Sequence, residues 1–209
     1  MPKAKEKVVI DATTEEKIKN AARIVFQHKG LAAARTRDIA EAADVNLALL
    51  NYYFRSKEKL FEIIMYETLI NFSKGITVIL NDESTSIDEK IALLVNDYSE
   101  MLINEPNIPL FILSEMRNRP EDLFQKIPVK QLLSESAAVK LFFEKISDGG
   151  INDENTIHFL INLLSLTIFP FVSRPIVKTI GNFDDLQFNK MMEKRKKLIP
   201  IWIKAIMEV

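Results

Sequence analysis

Apolar residues near the N-terminus of the chain recur with the period of an α-helix. Five of them stand at i, i+3, i+4, i+7 and i+8 and so share one face: Ile18, Ala21, Ala22, Val25 and Phe26. Thr13 and Glu16 form a T-x-x-E capping box, which predicts that this helix begins near Thr13. Gly30 predicts its end, because glycine adopts the left-handed conformation of a helix terminus at little cost.

The rest of the chain has the same helical character. An all-β fold needs many turns, and 5 glycines and 8 prolines in 209 residues do not supply them. Further helices are predicted over residues 36–43, 47–53, 57–80, 87–103, 110–117, 131–146, 153–179 and 185–207. The helix over 87–103 opens with a second capping box, Ser86 and Glu89. The helix over 153–179 is expected to bend near Pro170 and Pro175, because proline lacks the N–H and clashes with the preceding turn. We therefore predict an all-α fold of about nine helices.

The composition is that of a soluble globular protein, with 47% hydrophobic and 27% charged residues. Cysteine is absent, which excludes disulfides and thiolate metal sites. The N-terminal stretch MPKAKEKVVIDA lacks the apolar core of a signal peptide. The most apolar run, Phe159–Val172, falls short of the about 20 residues that span a bilayer, so we expect a helix buried within the protein. These features predict a cytoplasmic protein with no membrane partner.

The charges of the chain are distributed unevenly. Residues 1–60 hold 12 Lys and Arg against 8 Asp and Glu, a balance of +4, whereas the remainder has a balance of −5. Such asymmetry favours an N-terminal module that binds an anion, joined to an acidic body.

The spacing of residues 36–54 predicts a helix-turn-helix, in which a tight turn joins the second and third helices. Ile39 faces inward, and Ala40 is small where the two helices must cross closely. Val45, just after the turn, can fill the angle between them. Leu50 returns to the same inner face, and Phe54 ends the third helix as a further core anchor.

The stretch GLAAARTRDIAEAADVNLALLNYYFRSKEKLF resembles the DNA-binding domain of the TetR (tetracycline-repressor-like) family of bacterial regulators. The family pattern runs from a helix-ending glycine, through I-A, to an aromatic-rich recognition helix that ends in F-x-S/N-K-E-x-L. The matching positions are Gly30, Ile39, Ala40, Val45, Leu50, Tyr53, Phe54, Ser56, Lys57, Glu58 and Leu60. The resemblance covers residues 14–65, and the rest of the chain matches only as a helical body of suitable length.

Two positions depart from the family pattern. Asp44 stands in the turn where glycine is common, and aspartate visits left-handed conformations more readily than most residues. Arg35 stands where a Thr or Ser usually caps the second helix, so a cap hydrogen bond worth about 1 kcal/mol should be lost. The sequence leaves open whether Arg35 contacts DNA instead.

The resemblance implies that the third helix, about residues 47–53, lies in the major groove of DNA. Phosphate contacts would come from Thr36, Arg37, Tyr53 and Lys57. Base contacts would come from Asn46, Leu47, Ala48, Asn51 and Tyr52. Asn51 alone suits bidentate recognition of adenine, while Leu47 and Ala48 suit thymine methyl groups, so we expect an A/T-leaning half-site. For Leu47 and Leu49 the alternative is packing within the domain.

The resemblance divides the chain into a DNA-binding domain, residues 1–60, and a ligand-binding and dimerisation domain, residues 61–209, with the fourth helix (57–80) as the link. It implies a homodimer whose last two helices form the interface and whose operator is an inverted repeat. The expected interface residues are Ile161, Leu164, Ile168, Trp202 and Ile206. Ligand binding would change the spacing of the two recognition helices and so relieve repression.

The effector pocket is the least constrained part of the sequence. Its candidate lining residues are Phe111, Met116, Phe142, Phe143, His158, Phe159 and Phe169, which imply a largely apolar small molecule. The alternative is that these aromatics are ordinary core residues and that His158 is a core histidine. Glu115 and Arg117 could orient a polar ligand or lie on the solvated surface.

Two other classes of protein fit the sequence less well. An enzyme is disfavoured by only two histidines, no cysteine, no phosphate-cradling glycine loop and no H-E-x-x-H or E-x-x-H arrangement. We therefore expect no metal and no cofactor. A helical carrier of lipids or other small molecules is the second alternative, and it should not bind DNA with a steep dependence on salt.

Overall fold

The computed structural model describes residues 3–118, 137–146, 148 and 153–207. These residues form ten helices and no strand. In chain order the helices are Lys3–Ala33 (α1), Thr36–Ala42 (α2), Leu47–Phe54 (α3), Lys57–Asn81 (α4), Ile87–Asn104 (α5), Ile108–Asn118 (α6), Ala137–Ile146 (α7), Glu154–Val172 (α8), Arg174–Gly181 (α9) and Asp185–Met207 (α10). The predicted all-α fold is confirmed. The predicted start of α7 near residue 131 lies outside the described residues.

Helix α1 begins earlier than its capping box predicts. It starts at Lys3, so Thr13 lies inside the helix and the predicted N-terminus is wrong. The preceding residues KAKEKVVIDA include several strong helix formers and no glycine or proline, so nothing stops the helix at Thr13. Gly30 kinks the helix, with φ 68° and ψ 173°, but α1 continues to Ala33, beyond the predicted end. The predicted apolar stripe is buried, and Phe26 alone contributes about 1.5–3 kcal/mol through that burial.

The second predicted capping box is present at the start of α5. The Ser86 side chain accepts from the Glu89 N–H, and the Glu89 carboxylate accepts from the Ser86 N–H at 2.7 Å. One turn further on, the buried Lys90 donates to the carbonyl of Ile79 at 2.9 Å and to the Thr85 hydroxyl at 2.8 Å. Lys90 therefore ties the start of α5 to the carbonyl end of α4.

The predicted long helix over 153–179 is two helices, so the described residues alone contain ten helices where about nine were predicted for the chain. The break falls at Ser173, and Pro175 lies in the first turn of α9. Proline is tolerated there because the first N–H groups of a helix have no partner within it. Pro170, in contrast, lies inside α8 and cannot donate to the carbonyl of Leu166. Arg195 of α10 donates to that oxygen instead, at 2.9 Å.

The described residues group into two compact units. The first comprises residues 3–69 and 110–118, and the second comprises 70–109 with the remaining described residues. Helix α4 contributes its beginning to the first unit and its end to the second. Seven apolar residues of the first unit are fully buried: Ile18, Ala22, Phe26, Ile39, Leu50, Leu60 and Ile64. The core of the second unit lies among α4, α5, α7, α8 and α10.

Helix α8 is only half-buried, so the prediction that its apolar run is enclosed in protein is wrong. Phe159, Leu163 and Phe171 are buried, but Ile161 and Leu164 on another face are exposed. By length and hydropathy alone, α4 and α8 could each cross a bilayer, yet each buries 33% of its apolar window within the protein. A core helix of a soluble protein can have the same length and hydropathy.

Candidate nucleic-acid interface

Helices α2 and α3 are joined by a tight turn whose hydrogen bonds fix their angle. The N–H of Ala43 donates to Ile39 O at 2.9 Å, and the N–H of Val45 donates to Ala40 O at 3.0 Å. Asp44 between them has φ 53°, the left-handed conformation expected of an aspartate in this turn. Only four residues, 43–46, therefore separate α2 from α3.

The inner face of the turn is packed as a helix-turn-helix requires. Ile39 and Leu50 are completely buried, and Ala40 and Phe54 are 5% and 4% exposed. Val45 is half-buried in the angle between the two helices. These contacts fix the rotation of α3 about its axis, and so decide which of its residues face outward.

The outward face of α3 carries Ala48, Asn51 and Tyr52, and Tyr52 is 76% exposed. Leu47 and Leu49 are half-buried, between the packed and the exposed faces. Asn46 caps the helix, since its Oδ1 accepts from the N–H of Leu49 at 2.8 Å. Its side-chain amide nitrogen is therefore the part left for another contact. This capping role was not predicted from the sequence, although Asn before an apolar run is a known cap signal.

Tyr53 lies beside the exposed face and is half-buried. Its ring meets that of Tyr52 edge-on at 5.4 Å between centroids and lies 6.2 Å from that of Phe54. Phe54 is in the core, so this run of aromatic rings links the exposed end of α3 to the packed interior. Aromatic pairs of this geometry contribute about 0.5–1.5 kcal/mol beyond their buried area.

The start of α2 carries exposed positive charge beside one acid. Arg35 and Arg37 are exposed, Thr36 is half-buried, and Arg35 provides no side-chain cap, as predicted. The Asp38 carboxylate instead accepts from the Arg35 N–H at 3.2 Å and from Lys29 Nζ at 2.8 Å. The Lys29 hydrogen bond, followed by that from Arg35, lowers the pKa of Asp38 below its usual value.

Lys57 lies at the start of α4, but its ammonium group points at the end of α1. Lys57 Nζ donates to Leu31 O at 2.9 Å and to Ala34 O at 3.0 Å. Two of its three N–H groups are thus used to satisfy carbonyls where α1 stops. No local pattern predicts this bond, because Leu31 and Ala34 are 26 and 23 residues away.

An ion-pair cluster and an edge-to-face aromatic pair join α1 to α4 beside the helix-turn-helix. Glu67 of α4 accepts from Lys19 at 2.9 Å and from Arg23 at 3.0 Å, both on α1. The Phe26 and Phe61 rings meet edge-on with centroids 4.9 Å apart. These contacts hold α1 against α4, and therefore fix the platform from which α2 and α3 project.

Residues 18–64 match the sequence profile of the family described as "Bacterial regulatory proteins, tetR family". This range contains α2, α3 and the turn just described. The chain therefore carries a DNA-binding domain of the tetR-family type. This helix-turn-helix domain makes the chain a DNA-binding transcriptional regulator, and not an enzyme.

The chain is also similar to known proteins over most of its length, and not only in the first unit. The chain is 27% identical to the "Probable HTH-type transcriptional regulator YttP" of Bacillus subtilis (strain 168) over 202 residues, 93% of this chain and 94% of that protein. The fatty acid degradation regulator FadR from Bacillus halodurans has the same fold, with TM-score 0.58 and 19% identity over 90% of this chain and 94% of its own. FadR from Bacillus subtilis, solved in complex with stearoyl-CoA, has TM-score 0.56 and 17% identity over 88% and 96%.

Three of the candidate pocket residues lie together. Phe142 lies 5.2 Å from Phe143 and 6.0 Å from Phe159, between ring centroids, in the core of the second unit. Phe111 packs against Phe61 in the first unit, and Met116 and Phe169 are exposed.

The polar residues singled out with the candidate pocket lie in different environments. The interpretation of His158 as a core histidine is wrong: its side chain is exposed, with Nε2 3.6 Å from Glu154 Oε1. Glu115 is buried on α6, whereas Arg117 is exposed. Helical periodicity around His158 suggested burial, but only one face of α8 packs inward. Among the residues that the structure describes, no group of acidic and histidine side chains could hold a metal ion.

The candidate dimer residues lie on surfaces that the single chain leaves open. Ile161, Leu164, Trp202 and Ile206 are 54%, 47%, 36% and 45% exposed, and Ile168 is half-buried. Arg195 supports this surface, because its guanidinium lies 5.0 Å over the Trp202 ring while it donates to Leu166 O. Burial lowers the pKa of Arg195 from its usual value.

Proposed function

We propose that this chain is a ligand-responsive repressor that binds an inverted-repeat operator as a homodimer. One observation carries the proposal. Leu50 and Phe54 anchor α3 in the core, while Ala48, Asn51 and Tyr52 on the same helix are exposed. A helix fixed on one side and open on the other is what insertion into a major groove requires.

The exposed residues of α3 favour an A/T-leaning half-site. Asn51 can accept from and donate to adenine in a bidentate pair, which discriminates against other bases by about 1–3 kcal/mol. Leu47 and Ala48 would contact thymine methyl groups, and Tyr52 would contact a base edge. Asn46 would contribute through its amide nitrogen, because its oxygen caps α3.

Phosphate contacts would flank the recognition helix on both sides. Thr36 and Arg37 lie in the first turn of α2, where free N–H groups and the helix dipole favour an anion. Tyr53 would donate its hydroxyl from the far end of α3. Lys57 would use the N–H that is not bound to Leu31 or Ala34. Contacts of this kind position the protein without reading sequence.

A second copy of the chain would cover the exposed apolar surface of α8 and α10. The residues that support this interface are Ile161, Leu164, Ile168, Trp202 and Ile206. A two-fold dimer presents two identical recognition helices, and the operator should therefore be an inverted repeat.

The effector is proposed to be a largely apolar small molecule that shifts the dimer between two spacings of α3. FadR of Bacillus subtilis, which has this fold, was solved with stearoyl-CoA, a ligand with a long apolar chain. Phe142, Phe143 and Phe159 are the candidate lining residues that lie together in this chain. Regulators of this family are soluble and cytoplasmic in general, and the same location is proposed here.

Selection of bound duplexes from a random pool tests the DNA-binding proposal. The full-length protein should enrich a palindrome whose half-sites are A/T-leaning. Adding candidate apolar effectors to the selected complex should then release the DNA. A pool with no enriched palindrome would contradict the operator proposal, and a complex indifferent to every apolar ligand would contradict the effector proposal.

A further inference from the structure

Arg55 has a backbone conformation that its residue type rarely adopts. It is the first of two residues between α3 and α4, with φ 53° and ψ −41°. The N–H of Ser56 donates to the carbonyl oxygen of Phe54, which closes a γ-turn around Arg55. A γ-turn with positive φ and negative ψ is rare and strained. Glycine would adopt this conformation with the least strain.

Other positive φ angles in the described chain are found at residues that tolerate them. Asp44 has φ 53° and Asn182 has φ 49°, and short polar side chains of this kind often adopt such angles. Gly30, with φ 68°, has no Cβ to clash. The backbone therefore accounts for the residue type at these three positions but not for arginine at position 55.

The side chain of Arg55 is exposed and available. Its guanidinium has no hydrogen-bond or ion-pair partner within residues 3–118, 137–146, 148 and 153–207. Two residues later, Lys57 has committed two N–H groups to Leu31 O and Ala34 O. At this end of the recognition helix, Arg55 thus has more donors to offer to an anion than Lys57 has.

We propose that Arg55 is a DNA phosphate contact, presented beside the C-terminal end of α3 by the strained turn. This inference rests on the proposed DNA-binding function. Arginine suits the role because its planar guanidinium can donate two parallel hydrogen bonds to one phosphate and stays charged at all relevant pH values. The free energy gained from this phosphate contact would then offset the conformational strain at Arg55.

Two substitutions at this position separate the backbone from the side chain. Arg55→Gly suits the turn and removes the guanidinium, whereas Arg55→Lys keeps the charge and the strained conformation. The full-length proteins would be titrated with a mixed-sequence duplex over a range of salt, with binding followed by fluorescence anisotropy. Thermal unfolding of each variant would be recorded in parallel. Lys190→Gln, which removes an exposed cation from the second unit, is the matched charge control.

We expect Arg55→Gly to unfold at the same or a higher temperature than the wild type and yet to bind DNA more weakly. The slope of log affinity against log salt should shrink by about 0.9 for each phosphate that the variant no longer neutralises. Arg55→Lys should keep most of the slope, and Lys190→Gln should keep all of it.

Each contrary outcome overturns a different statement. A wild-type slope in Arg55→Gly would remove Arg55 from the DNA contacts and leave the proposed function standing. A lower unfolding temperature in that variant would contradict the claim of strain. A wild-type protein whose affinity hardly depends on salt would remove the proposed DNA-binding function, and this inference with it.

Discussion

One ammonium group joins two helix ends in the first unit. Lys57 Nζ donates to the carbonyls of Leu31 and Ala34, where α1 stops. Lys57→Met keeps the apolar stem but leaves both carbonyls without this donor. We expect the free energy of unfolding to fall by about 1–3 kcal/mol, the usual contribution of hydrogen bonds to a charged group. Chemical denaturation of the full-length protein measures this change.

Lys59 offers the matched comparison, because it lies in the same helical turn and its side chain is exposed. Lys59→Met should change the free energy of unfolding by less than about 0.5 kcal/mol, as surface substitutions usually do. Equal stability of the two variants would mean that the Lys57 hydrogen bonds contribute nothing to folding.

The Asp38 carboxylate should make stability depend on pH in the acid range. Lys29 and the Arg35 N–H hold its pKa below the value of 3.8 that it would have unfolded, so the unfolded chain binds the proton more readily. The contribution is therefore fully present above about pH 4 and is lost as pH falls through the lowered pKa.

Asp38→Asn should consequently be less stable than the wild type at neutral pH, and the gap should narrow as the pH falls below about 4. Urea denaturation at several pH values would show it. A gap that is constant with pH would mean that the carboxylate charge has no part in the stabilisation.

At the scale of helices, Arg195 supplies the hydrogen bond that Pro170 cannot donate. Proline cannot donate to the carbonyl of Leu166, and Arg195 donates to it from α10 at 2.9 Å. Arg195→Met should therefore destabilise the protein by about 1–3 kcal/mol, since it leaves a helix carbonyl without its donor. Pro170→Ala restores an N–H at position 170, so the same Arg195→Met change should cost less in that background.

A double-mutant cycle on the free energy of unfolding measures the coupling between the two positions. We expect an interaction energy of about 0.5–3 kcal/mol, the range for residues that share a partner. Strictly additive effects would show that Arg195 stabilises the protein only by stacking on Trp202.

Replacing Gly30 or Gly75 by alanine should have opposite effects on stability. At both positions an added Cβ would meet no atom within 4 Å. Gly30 kinks α1 with φ 68° and ψ 173°, a region nearly exclusive to glycine, so Gly30→Ala should destabilise by about 1–3 kcal/mol. Gly75 lies inside α4 with ordinary helical geometry, and Gly75→Ala should stabilise by about 0.5–1 kcal/mol. Thermal unfolding distinguishes them, and shifts of the same sign would contradict the backbone explanation.

Local patterns predicted the helices well where the signal is itself local. The Ser86–Glu89 capping box, the Gly30 kink and the left-handed Asp44 all depend on residues within one turn of each other. The misplaced start of α1 and the break at Ser173 arose where two local signals competed. The bonds of Lys57 could not be predicted, because they join residues distant in sequence and depend on how the helices pack.

For the whole molecule, the sequence alone did not predict which apolar residues are buried. Periodicity marks α8 as apolar on several faces but does not say which of them the chain itself covers. In the structure Phe159 and Leu163 are buried, while Ile161 and Leu164 remain open to solvent. The candidate pocket was harder still, since the Phe142, Phe143 and Phe159 cluster is a property of the packed helices and not of any one segment.

The exposed apolar surface leads to a prediction about assembly. Leu164 is 47% exposed in the single chain and would be buried in the proposed dimer. Leu164→Asp would place an unpaired charge in that interface, which costs several kcal/mol, so the dimer dissociation constant should rise by about two orders of magnitude or more. Sedimentation velocity should then find a monomer where the wild type is a dimer, with operator affinity falling in parallel because each half-site is bound alone.

Val78→Asp is the matched control, because Val78 is 73% exposed on α4 and belongs to no proposed interface. It should remain a dimer with wild-type affinity for the operator. Circular dichroism of both variants separates dissociation from unfolding, and the exposure of Leu164 predicts that the folded chain accepts the charge. A Leu164→Asp protein that stays dimeric, or a wild type that is monomeric at micromolar concentration, would place the interface elsewhere or remove it.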